Sequence, residues 1–462
     1  MQIENSFNLE KLSDTAQKLL STIREANKME VVGVIACALT AQYVINTFLL
    51  DRLRAIPGPF VAKLSRFYDV KLKASGKAWL LIDELHNKYG KVVRTGYNTV
   101  SIRDLDAVKQ IYGNERFRKS SFYDAFVFNG AHNMFATTVP TDHARYRRIL
   151  APGFSQATLD GLEDVIMDSG ILALMDKFDT KFANQHVVCN LFDEFHLLAF
   201  DILGEMAYGK SFDMIKLQSH PFADWLKTRT KQMPVTTTFP GINRYPRLLG
   251  LLFPRAAKAT ENIFDFSKKS MEDRLADKDN TRRDFTALML AALDSDKKSN
   301  YLTVPESQVA SVMLIVAGTD TTSNSMTFIA FLLGKHPKVK ERLFQELVQA
   351  MPDKNSTLRY KDARKDQLPY LWAVMMEATR LYPAVPGGLP RVTPKGGEII
   401  GGQFIPEGTI VEVPAWSIQH DASIFEEPFE FKPERWLADD SEELAKHHLL
   451  FSYGPRMCAG KK

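Results

Sequence analysis

Cysteine is scarce in this chain. Three residues in 462 (Cys37, Cys189 and Cys458) are odd in number and far apart. That excludes a disulfide framework and points to folding in a reducing compartment. No second cysteine lies near Cys458, so a CxxC-type zinc site is excluded there too. Charge of one sign is equally lacking: 59 Lys and Arg against 55 Asp and Glu leave a formal net charge of +4, with the basic residues scattered. A nucleic-acid surface would need them clustered. The sequence also has no internal repeat, low-complexity segment or long interdomain linker, so residues 61–462 read as one body. With 45% apolar residues and 30 Phe, that body can bury a large core.

Charge disappears altogether over residues 31–50, VVGVIACALTAQYVINTFLL, between Glu30 and Asp51. An uncharged apolar run of this length matches the ~20 residues that cross a bilayer as a helix. It is too long and starts too far into the chain for a cleaved signal peptide. A buried core helix is the alternative. Downstream lie Arg52, Arg54, Lys63, Arg66, Lys71 and Lys73; upstream, Lys18, Arg24 and Lys28 alternate with acids. The positive-inside rule then makes residues 1–30 a short lumenal N-terminus and puts the body in the cytoplasm. Residues 51–60 form a Pro-rich hinge, with Pro57 and Pro59 around Gly58 stopping the helix.

The body reads as mainly α with a minor β region. VVRTGYNTVSIR (92–103) alternates and turns like a hairpin. Residues 386–415 are rich in Gly and Pro between short apolar runs, as strands and turns are. The charged stretch 272–284 reads as a solvated helix end or loop. From about 145 to 350 apolar residues recur at helical spacing. One helix stands out: Thr303 and Glu306 form a capping box with Pro305 in the first turn, and Gly334 and Pro337 stop it, giving about 28 residues. In its middle sits AGTDTT (317–322). Gly, Asp and three Thr cost helix propensity and leave polar groups to satisfy. Either they form a polar notch facing a ligand, or they are a packing contact with internally bonded threonines.

Three further pieces follow in order: EATR, with Glu377 and Arg380 able to pair at i, i+3; PERW, with Arg435; and FSYGPRMCAG (451–460), a cysteine between Gly454 and Gly460. Together these residues resemble the cytochrome P450 family of haem-thiolate monooxygenases. The likeness runs from the Pro-rich hinge to Lys462. HARYRRILAPGFS and FEFKPERW look most like the membrane-bound fungal members of secondary metabolism.

The resemblance implies the cytochrome P450 fold with an N-terminal transmembrane helix, and haem b bound axially through the Cys458 thiolate. Phe451 would pack on the proximal side, while Arg456, Arg391 and Arg147 would pair with haem propionates. His143 stands where many members carry tryptophan and would donate a ring N–H there. Arg145 and Arg148 beside it read as solvated. Glu377, Arg380 and Arg435 would form a buried structural ion-pair network. Asp320 and Thr321 would be the acid–alcohol pair delivering protons to bound oxygen, with Gly318 relaxing the helix. The aromatics of 121–130 either line a substrate pocket or pack in the core. Residues 240–254 are either a membrane-facing lid or a helix-loop-helix.

The implied partners are O2, a lipophilic small-molecule substrate, the membrane and an NADPH-dependent reductase, and no nucleic acid. The implied location is the endoplasmic reticulum membrane. Family members continue past the cysteine with a helix along the haem and a final hairpin, so the resemblance implies a sequence truncated just after its haem ligand. The alternative is a non-catalytic truncated fragment with weak or no haem binding.

Overall fold

A computed structural model of the chain describes residues 28–461 apart from 129, 278–281 and 354–355. It divides into two units, Met1–Ala55 and Ile56–Lys462. In the first, helix α1 (Lys28–Val44) continues into a π-helical turn, Ile45–Leu49. Val31–Leu49 is long and apolar enough to cross a membrane, and Val34, Leu39 and Leu49 lie exposed along it.

The second unit is helical with a small sheet, as its periodicity predicts. The elements that place the site are α2 (Pro140–Leu150), α3 (Leu191–Tyr208), α4 (Pro221–Thr230), α5 (Pro254–Ala276), α6 (Val304–Lys335) and α7 (Pro369–Leu381). The capping box of α6 is formed: Thr303 Oγ1 accepts from the Glu306 N–H, and the Glu306 carboxylate accepts from the Thr303 N–H at 2.8 Å. The helix runs one residue past Gly334 to Lys335 and ends at His336, the residue before Pro337. A lone glycine only weakens a helix, whereas proline removes the donor that would continue it. At 32 residues the helix is roughly 48 Å long.

Helices α3 and α6 make the most extensive contact between elements among the described residues. Leu197, Leu198, Phe200, Val312 and Ile315 share a core there with Phe212 and Phe222. Gly318 belongs to this seam. A Cβ on it would come within 2.7 Å of Leu203 Cδ1, so glycine at 318 lets α3 approach.

Five strands form one sheet in the order β1-β2-β7-β4-β3. The 92–103 hairpin is β1 (Val92–Gly96) and β2 (Thr99–Ile102), antiparallel with Val92 opposite Ile102. Strand β3 is Arg118–Lys119 and β4 is Arg391–Val392; β5 (Glu398–Ile400) and β6 (Gln403–Ile405) pair apart as a ribbon; β7 is Ile410–Glu412. Strand β7 runs parallel to β2 and antiparallel to β4.

Of the charged 272–284 stretch, residues 272–276 complete α5 and 278–281 lie outside the described residues. Residues 121–126 form a 3-10 helix capped by Ser120. Tyr123 and Phe128 are buried, the first against Phe135 and the second against Phe264 of α5, which is the core-packing reading of those aromatics. Residues 240–252 form a 3-10 turn and a short helix, Pro246–Leu252, with Tyr245, Leu248, Leu251 and Leu252 exposed.

Candidate haem site

Lys119 of β3 and Arg391 of β4 stand directly opposite each other in the antiparallel ladder, and both are buried. Like charges facing across a strand pair destabilise it. A fold that keeps two cations there gains from them elsewhere. Helix α2 adds the guanidinium of Arg147 and, four residues before it on the same helical face, the imidazole of His143. A fifth basic group, Arg456, donates to the Thr137 carbonyl at 3.1 Å just before α2. Lys119, His143, Arg391 and Arg456 line one cavity together with Tyr112 and Glu115.

None of the five forms an ion pair with a carboxylate among the described residues. Crowding and burial displace Lys119, His143 and Arg456 from their ordinary protonation. Burial pushes Lys119 well below the usual lysine range, and Arg391 and Arg456 add to the shift. Burial lowers His143 to about 3, helped by Arg456, Lys119, Arg147 and Arg391. Burial and Arg391 bring Arg456 down to about 10, with Glu115 pulling the other way. Lys119 spends its ammonium on the Phe135 carbonyl and lies 4.1 Å from the Tyr123 ring centroid. Basic groups crowded in this way around a neutral His143 suit an incoming anion.

The cysteine segment is fastened to the same cluster. Arg147 donates to the Met457 carbonyl at 3.1 Å, and the Cys458 N–H donates to the Phe451 carbonyl at 2.9 Å. Gly454 has φ +77°, and a Cβ on it would fall 2.2 Å from the Tyr112 carbonyl oxygen. Glycine is obligatory there because the chain passes over the end of the 105–112 helix in a left-handed turn. At Gly460 a Cβ would meet only ordinary contacts, Phe154 at 3.8 Å and Cys458 Sγ at 3.9 Å. Cys458 is exposed as a residue, yet its sulfur is set deep enough for burial to raise the thiol; the Gly460 N–H and the Arg147 charge oppose that rise. The two opposing influences are those that favour a thiolate ligand.

On α6, Ala317 and Asp320 are exposed although Val312, Ile315 and Thr319 around them are buried, so this flank of the helix is open. Thr321 Oγ1 donates to the Ala317 carbonyl at 2.8 Å, and Ser325 and Thr327 bond back along the helix in the same way. Thr319 Oγ1 is buried without a hydrogen-bond partner among the described residues. Asp320 turns away from Thr321 toward α3, where its carboxylate lies 3.8 Å from His196 Nδ1.

Glu377, Arg380 and Arg435 meet at one point. Arg380 and Glu377 are both fully buried and joined by two 2.8 Å bonds, and Arg435 Nε reaches the same carboxylate at 3.0 Å. Arg148 is solvated, donating to the Ser299 carbonyl. Arg145 is not: its side chain is only 20% exposed and pairs with the Glu306 carboxylate at 2.6 Å, which fastens α2 to the start of α6. Long basic side chains beside a capping glutamate find the charge that the cap concentrates.

The family model for cytochrome P450 matches residues 57–462. The chain belongs to the cytochrome P450 family. Among its curated relatives, the cytochrome P450 monooxygenase ORF11 of Penicillium roqueforti is 33% identical, over 92% of this chain and 88% of the relative. The cytochrome P450 monooxygenase BOT4 of Botryotinia fuckeliana is 31% identical over 93% and 81%. The pisatin demethylase of Fusarium vanettenii is 29% identical over 97% and 90%. This P450 is thus of the fungal type that its motifs resemble, and its family implies haem with a cysteine thiolate ligand.

The residues present fit that group. Haem carries two carboxylates, which suit a part-buried basic cluster whose neighbour Glu115 is exposed and joins none of the five in an ion pair among the described residues, and the P450 has a sulfur donor whose segment is fastened by Arg147 of the same cluster. Lys119 is absent from the sequence reading because nothing in RFRKSSFY sets it apart; only its register opposite Arg391 reveals it. Trp436, beside Arg435, carries no sequence signal of its own either, yet its indole N–H donates to Glu377 at 2.8 Å.

Proposed function

We propose that this P450 inserts one oxygen atom from O2 into a lipophilic small molecule of secondary metabolism, anchored to the endoplasmic reticulum membrane by residues 31–50 with its body in the cytoplasm. Electrons come from NADPH through a partner reductase. The observation that carries the reading is the part-buried basic cluster tied to the Cys458 segment through Arg147. Haem, when bound, supplies the redox chemistry by which one O2 atom enters the substrate and the other leaves as water.

The chain does the rest. Cys458 would hold the haem iron through its thiolate, and the Phe451 carbonyl accepts from its backbone N–H. Arg391, Arg456, Arg147, His143 and Lys119 receive the propionates and fix the ring's orientation. Asp320 and Thr321 handle protons from the open flank of α6, a task that needs a donor within about one water of the reacting atom. Thr321 keeps its hydroxyl satisfied on Ala317 until a better acceptor arrives.

The test is Thr321→Ala, in protein reconstituted with a reductase. NADPH consumption and haem content should persist while product per NADPH falls by about 10²-fold, as for loss of one donor to a developing charge, and peroxide should rise to match. Unchanged product per NADPH would reduce Thr321 to a helix-packing residue.

A further inference from the structure

Among the described residues, Asp320 has one ion-pair partner, and it is a histidine. His196 of α3 places Nδ1 3.8 Å from the Asp320 carboxylate and 3.5 Å from Ser323 Oγ, one turn along α6. The ring is held on both sides: Phe192 stacks on it at 6.3 Å and 16°, and Phe200 meets it edge-on at 5.0 Å and 70°. The spacing of these three residues, four apart on α3, fixes the imidazole plane so that Nδ1 points at α6. The close seam at Gly318 and Leu203 brings the two helices near enough for the contact.

The surroundings decide what this pair can do. Asp320 is 66% exposed at its side chain and His196 31%, so both exchange protons with solvent. The charged groups facing His196 are Asp320 from α6, Asp193 from its own helix and Lys227 from α4. Burial lowers the imidazole from its ordinary value, the two acids raise it, and Lys227 lowers it. Histidine is the side chain whose charge changes near neutrality. A charged imidazole attracts the carboxylate; a neutral one does not. The carboxylate is meanwhile the group that must turn toward Thr321 to serve as a proton source.

We propose that His196 is a positioning residue for Asp320, holding its carboxylate against α3 when protonated and releasing it toward Thr321 when neutral, so that proton delivery is gated by pH. The inference rests on the acid–alcohol role proposed for Asp320 and Thr321. Its consequence is that coupling of NADPH to product falls as pH drops through the His196 titration.

Two measurements test it on the full chain. The first is the histidine NMR titration of the diamagnetic ferrous carbon monoxide complex, with the His196 signal assigned by its loss in His196→Gln. Asp320→Asn should move the His196 midpoint down by roughly 0.8 of a pH unit, the water-screened attraction of unit charges at that separation. The second is product per NADPH between pH 5.5 and 7.5. Wild type should fall several-fold at the acid end with its inflection at the NMR midpoint. His196→Gln should stay high and flat, and His196→Lys should stay low throughout. An unmoved midpoint in Asp320→Asn, or a wild-type pH profile in both His196 variants, overturns the proposal. If Asp320→Asn and Thr321→Ala themselves leave coupling intact, the acid–alcohol reading falls and takes this one with it.

Discussion

Replacing Glu377 with glutamine should weaken the fold more than almost any other single isosteric change. One carboxylate receives five hydrogen bonds: Arg380 Nε and Trp436 Nε1 on Oε2, and Arg380 Nη2, Arg435 Nε and the Lys432 N–H on Oε1, all between 2.8 and 3.1 Å. Burial alone would raise this carboxyl, yet it titrates below the ordinary value because Arg380 bonds to it and the Arg380 and Arg435 charges face it. A glutamine side chain would keep the shape but remove the charge and offer a single acceptor oxygen. Arg380, with no exposed surface, would keep the Gln419, Pro428 and Glu430 carbonyls and share that one oxygen with whatever other donors reach it. Breaking a buried pair by removing one partner costs about 3–5 kcal/mol. Trp436→Phe removes one bond to the same charge and should cost about 1.5–3 kcal/mol. The double variant should cost less than the two single variants added together, because both act on one network. Urea denaturation of the three proteins measures this. A Glu377→Gln midpoint equivalent to less than about 1 kcal/mol of change would refute the view that this carboxylate ties α7 to the 432–436 turn.

Removing residues 1–55 should release the body from membranes, and carbonate extraction should leave the intact protein in the membrane fraction; an intact protein that extracts as wholly soluble would disprove the anchor. Acid should destabilise the body between pH 6.5 and about 4. Burial first, with Arg103 assisting, depresses His86 to about 4, and burial depresses His420 to about 4. A depressed histidine contributes stability that is present above its unfolded value and lost as pH falls toward the folded one, up to about 3 kcal/mol each. Melting midpoints that stay flat from pH 7 to 4.5 would contradict this, and His86→Gln should reduce the slope.

The legible parts of this P450 were those with a local physical signature. The capping box of α6, the uncharged 31–50 run, the 92–103 hairpin and the glycine-flanked cysteine each announce themselves within short stretches of sequence. What stayed hidden depends on register between distant segments. Lys119 matters because β3 lies against β4, 272 positions later at Arg391. Arg145 pairs with Glu306 rather than solvent only because α2 meets the start of α6. His196 gains meaning from the α3–α6 seam, where Gly318 makes the packing contact that is one of the two readings of AGTDTT. The notch itself was half legible: its threonines do bond along the helix, while its aspartate reaches across to another.

The central claim is that Cys458 supplies the axial thiolate of a haem held by the basic cluster. The reduced carbon monoxide difference spectrum of the full chain and of Cys458→Ala tests it most directly. Wild type and both Cys37→Ala and Cys189→Ala should show the red-shifted Soret band of a thiolate-bound haem, and Cys458→Ala should lose it. Retention of that band in Cys458→Ala would contradict the assignment.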